Sequence, residues 1–373
     1  MLTPLDESLF HQTSDPFAVV ATPDHRFFDR YWFSGLDPVG GFAFFAGTGR
    51  YPNMATRDAF VNVLIGSRQH NLRMATEIDV IADAADIHHV GVGPFEIDVE
   101  EPFRRIRLTV DGPSEPVRAE LVFTTARHPH LEAKHREMAG HRLIQEQTRY
   151  DQVGSWNGWV EVEGRRLDVN DWWGDRDHSW GVRVDVGGLE PPPLSRRVGS
   201  VTIWCNFSTS TRYGLIQLRE YADGRPPYID GRVYANDGSS LGVTAVDHNV
   251  TKVPGGWSEA LLRLTLEDGS ELSMRATPHP SRAWASRGGG YNRGFNDGSG
   301  FGARRGDVAE YDVYELADSG AVLCDGHLIE PGHRENLAAI EVDGEAGFAH
   351  LPIMWRSGDM RRQNGQVDLE SDC

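Results

Sequence analysis

What most limits the folds open to this chain is the way turn dipeptides punctuate it. Acidic-Gly pairs stand at Asp111-Gly112, Glu163-Gly164, Asp223-Gly224, Asp237-Gly238, Asp268-Gly269 and Asp343-Gly344. Such a pair tolerates the positive φ angles of a tight hairpin turn, so each one flanked by apolar alternation marks two antiparallel strands. Between the turns lie short runs rich in Val, Ile, Thr and aromatics: Gly41–Gly47, Arg105–Val110, Ala119–Thr124, Trp159–Glu163, Ser200–Phe207 and Leu261–Leu266. Several alternate apolar with polar residues, as strands of a sheet with one wet face do. Helical signal is thin. Its best stretch is Leu131–Gln147, rich in helix formers and broken by Gly140, with a short turn expected over Leu5–Phe10. The expected class is all-β and antiparallel, with few short helices.

At 373 residues, 39% of them hydrophobic, the chain is long enough for two domains of ordinary size with real cores. A long all-β chain must hide its sheet edges in barrels, sandwiches or propellers. The sequence has no fixed repeat of propeller-blade length, which argues against the last. Both halves hold comparable numbers of strand-like runs, and Gly187-Gly-Leu-Glu-Pro-Pro-Pro193 between them has the composition of a connector. Two barrels or sandwiches in tandem are therefore expected, over 1–185 and 186–356, followed by a polar tail at 357–373.

Lys plus Arg number 37 against 55 for Asp plus Glu, a formal charge of −18. A field of that sign repels phosphate backbones and anionic lipid surfaces, so nucleic acid is not an expected partner. No window approaches the roughly 20 apolar residues of a membrane span, and the acidic start MLTPLDESLFHQ lacks the pattern of a secretion signal. A cytoplasmic protein is expected, and a homodimer is compatible with this reading. Cys205, Cys324 and Cys373 are too far apart for a zinc knuckle and too few for a disulfide framework.

The most unusual stretch begins at Gly154-Ser-Trp-Asn-Gly158 and continues through Asp168 to Arg183. Trp156, Trp159, Trp172, Trp173 and Trp180, half of the 10 tryptophans, fall there together with Asp171, Asp175, Arg176, Asp177, His178 and Arg183. Charges held against indole walls lose solvation, which pushes a carboxyl pKa upward. In an extended strand, alternation puts Asp175, Asp177 and Ser179 on one face and Arg176, His178 and Trp180 on the other. A carboxyl kept protonated there can give a proton to an alkene, enol or carbonyl, and an imidazole nearby can take one away. Arg176 and Arg183 would oppose this by favouring the carboxylate. The same residues could instead form a buried network that pins the two halves together.

The string Gly174-Asp-Arg-Asp-His-Ser-Trp-Gly181 resembles the signature of the tandem lipocalin-like (calycin) superfamily. That group includes carotenoid 1,2-hydratases, AttH-like proteins, decalin-forming Diels-Alderases and survival-factor lipid carriers. Gln152–Gly158, Glu163–Arg166, Arg30–Phe33, Tyr51–Asn53, Glu101–Phe103 and Trp204–Gly224 extend the resemblance over about residues 25–330. It implies two tandem lipocalin-like barrels with a hydrophobic ligand in one of them or at their seam. It also implies, for the hydratase branch, an acid that protonates an isolated double bond.

On this basis Asp177 is the expected proton donor, His178 its partner or base and Arg176 an orienter. Trp173, Trp180, Trp156, Trp204, Tyr291 and Phe295 are the expected pocket-lining residues. The expected activity is that of a cofactor-independent lyase or isomerase, a hydratase or terpenoid cyclase type, on a hydrophobic isoprenoid-like small molecule. The alternative is a non-catalytic carrier of a hydrophobic ligand or lipid.

Other clusters carry less. His128, His130, Glu132, His135, Glu137 and His141 have irregular spacing that fits no zinc motif, so no metal is expected. Gly288–Gly302 has the glycine content of a phosphate loop without its GK[ST] ending, and reads as a surface flap whose Tyr291, Phe295 and Phe301 can cover a barrel mouth. No GxSxG elbow is present.

Overall fold

The computed structural model describes residues 1–112, 115–184, 186–187, 200–221, 224–226, 228–281, 283–355, 360–363 and 366–369. Most of the connector 187–193 and much of the 357–373 tail lie outside them. Strands β1 (Phe27–Leu36), β2 (Phe42–Tyr51), β3 (Thr56–Ile65), β4 (Arg68–Glu77), β5 (His89–Val92), β6 (Phe95–Glu101), β7 (Arg105–Val110) and β8 (Val117–Thr124) precede two short strands, β9 (His130–Leu131) and β10 (His135–Ala139). The long hairpin of β11 (Arg142–Val162) and β12 (Arg165–Val182) follows. The hairpin turns at Glu163-Gly164, where both residues take positive φ, as the dipeptide predicts. The order β4-β3-β2-β1-β12-β11-β8-β7-β6-β5 curls on itself, because Leu72 and Met74 of β4 share one core with Val92, Phe95 and Ile97 from the opposite end.

That core is filled by aromatic rings laid over glycines. Gly35, Gly174 and Gly154 stand in register across β1, β12 and β11. A Cβ on them would sit 2.1 Å from the Phe44 ring, 2.3 Å from Trp156 and 2.6 Å from Phe123, respectively. The glycines of the sequence motif thus make room for the rings that pack the first barrel.

The second half supplies β13 (Ser200–Thr209), β14 (Arg212–Tyr221), β15 (Tyr228–Ala235), β16 (Ser240–Val253), β17 (Gly256–Leu266), β18 (Glu271–Pro278), β19 (Trp284–Ala285), β20 (Val308–Leu316), β21 (Val322–Cys324), β22 (His327–Ile329), β23 (Arg334–Glu335), β24 (Leu337–Val342), β25 (Glu345–His350) and β26 (Ile353–Trp355). The ring β13-β14-β15-β16-β17-β18-β24-β25 closes back on β13 as an antiparallel barrel. Its interior holds Ile203, Phe207, Ile216, Leu262, Leu264, Met274 and Val342. The chain is all-β with two lipocalin-like units, as expected. Strands β20–β22, although they come from the second half of the sequence, extend the first sheet beyond β4.

The segment Leu131–Gln147, expected as a helix, is instead strand and turn. Gly140 takes a positive φ and turns β10 back on β11, while Glu132 accepts from Gln217 and His135 meets Arg219 of the second barrel. These tertiary bonds override a propensity worth only tenths of a kcal/mol per residue. Between the barrels lies a second apolar layer, with Trp32, Phe45, Phe60, Trp173, Trp204, Leu215, Trp284 and Leu337. Strand β1 therefore faces a core on both sides, and Trp32 to Leu36 are buried without alternation.

Candidate functional site

The seam between the barrels buries several charged groups, among them Arg30, Asp175, Asp177 and Glu335. Strand β12 alternates as expected: Asp175, Asp177 and Ser179 point into the seam, and Arg176, His178 and Trp180 point to the mouth of the first barrel. Cross-strand register puts Asp177 beside Trp32 on β1 and beside Asp151 on β11. The Asp151 pairing depends on a bulge. Asn157 opposes both Asn170 and Asp171, with Asp171 at a φ of 53° and its N–H donating to the Asn157 side chain at 3.0 Å. A regular hairpin counted from Glu163-Gly164 would have set Tyr150 opposite Asp177. The extra residue shifts the register by one and brings the two carboxyls face to face.

Asp177 is 8% exposed and Asp151 2%. Burial raises both carboxyls above the ordinary aspartate range, and Asp151 well above it. Arg149 pulls against this shift at both, and Arg30 does so at Asp177, while Glu132 reinforces it at both and Asp177 reinforces it at Asp151. Ser179 donates to Asp177 at 3.1 Å, whereas Asp151 lies against the Glu132 carboxyl, a contact that holds its proton on. Arg149 is held by Glu132 at 2.7 Å, and its guanidinium lies 4.9 Å from the centre of the Trp204 ring. Two like charges directly across a buried ladder repel, so the pair retains a proton under conditions where a solvated aspartate has lost it.

Asp175 does a different job. It is fully buried and accepts hydrogen bonds from Ser34 and from Asn206 at 2.9 Å. His350 bridges it at 3.3 Å to Glu335 at 2.9 Å, and Glu335 meets His333 at 2.8 Å. Burial opposes charging of His350, but the two carboxylates outweigh it and lift the imidazole to about 9. Burial likewise pushes Glu335 up, and the two histidines overcome it, leaving Glu335 at about 2. Trp32 stacks on His350 at 4.7 Å. This imidazolium strut joins the barrels.

On the opposite face, Arg176 donates to the Tyr150 hydroxyl, which also meets His178 Nδ1 at 3.2 Å, while His178 Nε2 meets Asp29 at 2.7 Å. The structure thus brings Arg176, His178 and Trp180 together but parts them from Asp177. Of the expected lining residues, Trp204, Trp173 and Tyr291 lie on the seam, Trp173 donating to Ser208 at 2.9 Å. Trp156 is packed inside the first barrel, donating to the Ser34 carbonyl at 2.7 Å. Phe295 is buried under Arg305, whose guanidinium lies 3.4 Å from its ring centre. Among the described residues no three His, Cys, Asp or Glu side chains converge as metal ligands.

The profile of one protein family matches residues 2–319. The chain belongs to the family of unknown function DUF8625. No curated protein matches the sequence. An AttH-type protein of Nitrosomonas europaea superposes on the DUF8625 chain with a TM-score of 0.57 at 14% identity, covering 90% of this chain and 94% of its own. Kievitone hydratase of Nectria haematococca gives 0.46 at 7% identity over 88% and 89%, and CghA with Sch210972 gives 0.46 at 10% over 89% of each. The AttH-type likeness shows the shared tandem lipocalin-like fold.

In this DUF8625 protein, reasoning from the sequence missed Asp151, Arg149, Glu132 and Arg30. Tyr150-Asp151-Gln152 carries no motif, and the partner of Asp151 is set by a bulge. Arg30 stood in the Arg30–Phe33 string without a role. Glu132 enters the sequence reading only through the metal-like cluster.

Proposed function

We propose that this protein is a cofactor-independent acid catalyst of the hydratase, cyclase or isomerase type, acting on a hydrophobic, isoprenoid-like small molecule at the seam, with the Asp151–Asp177 pair as its proton donor. The observation that carries this reading is the pairing itself: two buried carboxyls opposed across a ladder, both pushed toward the neutral form, beside Trp32 and within the same apolar layer as Trp204. In the step it supports, the π electrons of a double bond take the carboxyl proton and form a C–H bond, leaving a cation on the neighbouring carbon. Indole faces stabilise such a cation by roughly 0.5–2 kcal/mol each. The cation is then captured by water, whose surplus proton passes to the carboxylate, or it loses a proton to the carboxylate directly; both restore the acid. His178 and Arg176 take no part at the seam in this reading.

Mass spectrometry of the apolar compound that copurifies with the protein names the substrate class. With that compound, Asp177→Asn and Asp151→Asn should each lose turnover by roughly 100-fold or more while binding is kept. Full turnover in both variants overturns the assignment, and wild-type binding without any turnover marks a carrier.

A further inference from the structure

Arg30 lends its field to Asp177, but among the described residues nothing accepts its hydrogen bonds. Its side chain points from β1 into the seam, opposite Ser179 and on the same face as Asp177. It is 3% exposed, and Nε and both terminal nitrogens have no hydrogen-bond partner among the described residues. Its charge is cushioned by rings, with Phe301 at 4.4 Å, Tyr291 at 4.8 Å and Phe60 at 5.7 Å from the guanidinium carbon. Of the two acids whose charge reaches it, Asp58 already accepts from Tyr51 at 3.0 Å and from the Gly302 backbone at 2.7 Å, and Asp177 accepts from Ser179 at 3.1 Å.

Ring faces balance charge, but they accept none of the five N–H donors of a guanidinium in its plane. A buried donor left without an acceptor costs about 1–3 kcal/mol, and more when charged. A hydrocarbon ligand would leave that cost in place. A planar anionic oxygen group would remove it through paired, charge-assisted bonds. Phe60, Tyr291 and Phe301 surround the guanidinium and limit its movement before the ligand arrives. A second donor without a partner, the Trp204 indole N–H, lies on the same seam.

We infer that Arg30 anchors a carboxylate or enolate carried at one end of the hydrophobic molecule turned over at the seam, so that the substrate is an oxygen-bearing amphiphile and not a pure hydrocarbon. This rests on the seam being the working site. It makes Arg30 a positioning residue: by holding the anionic end it fixes which carbon of the apolar part comes to the Asp151–Asp177 pair.

The test is a matched series of probes, farnesoate, farnesol and farnesene, titrated against the full chain by tryptophan fluorescence. Wild type should bind farnesoate about tenfold or more tightly than farnesol, the size expected of a charge-assisted pair. Arg30→Met should erase that preference while leaving farnesol unchanged, and Arg30→Lys should keep a part of it, because charge survives but the fork does not. Asp177→Asn should preserve the preference. Equal wild-type affinities for acid and alcohol, no binding of farnesoate, or an undiminished preference in Arg30→Met would each overturn the inference. If Arg30→Met does not fold, the wild-type series and Arg30→Lys decide alone. Lost acid preference in Arg30→Met together with full turnover in Asp177→Asn would keep the anchor and reject the acid pair.

Discussion

At the scale of single residues, the acid pair has a thermodynamic signature separate from turnover. Folded-state carboxyl values raised above the unfolded 3.8 mean that the native chain holds protons the unfolded chain has released. Stability therefore falls as pH climbs above 3.8 toward the folded values, and the deficit persists at neutral pH. Asp151→Asn removes the repulsion and keeps the shape. It should raise the unfolding midpoint at pH 7, each kcal/mol of relief appearing as about 2–4 °C, and the gain should vanish below the unfolded value. Thermal melts at pH 3.5 and 7 check this, and a lower midpoint at pH 7 would show that the pair stabilises the fold. Asp177 was legible in the sequence because it stands in a recognisable string rich in tryptophan. Asp151 was not, because nothing local marks a residue whose importance comes from what a bulge sets across from it.

At the scale of strands and turns, the acidic-Gly pattern reported hairpins well: both residues take positive φ at Glu163-Gly164 and Asp343-Gly344, and the glycine alone does at Asp237-Gly238 and Asp268-Gly269. The alternation of Asp175 to Trp180 was equally readable, and it already implied that Asp177 and His178 look in opposite directions. Two things lay beyond it. The bulge at Asn170-Asp171 changes register without changing composition, and the Leu131–Gln147 strands owe their form to pairing with one another and with β12, and to side-chain bonds to the other barrel. The glycine stripe is a further case. Gly174 reads in sequence as part of a motif, and in the fold it lies 2.3 Å, measured from an added Cβ, from the Trp156 indole and 2.9 Å from the Ser34 carbonyl. Gly174→Ala should cost about 1–3 kcal/mol through overpacking, seen as a lower denaturant midpoint. An unchanged midpoint would mean that the ring and strand yield freely.

At the scale of the whole molecule, the two barrels share one buried electrostatic strut and one sheet. His350 is raised from 6.5 to about 9 by its carboxylates, so its contribution is complete below pH 6.5 and is lost as pH rises through 9. Wild-type stability should fall between pH 7 and 9.5, and His350→Gln should flatten that fall while costing about 3–5 kcal/mol at pH 7 through two carboxylates left unbalanced. The sheet makes the stronger link. Arg73 on β4 is fully buried, and its guanidinium is neutralised by Asp312 on β20 at 2.6 Å, a strand that follows most of the second barrel in the sequence. Asn71 on β4 also donates to Asp312 at 2.8 Å, and Trp284 donates to Asn62 on β3 at 2.7 Å. A fragment ending at residue 185 would keep Arg73 and lose its counter-charge, expose the edge of β4, and uncover the seam aromatics. The full chain should therefore unfold in a single transition, coincident by tryptophan fluorescence and far-UV circular dichroism, and fragment 1–185 alone should aggregate or remain unfolded. Two separated transitions, or a soluble folded fragment with native-like near-UV signal, would show that the first barrel needs neither β20 nor the strut, and that the seam is a docking of finished units and not part of one core.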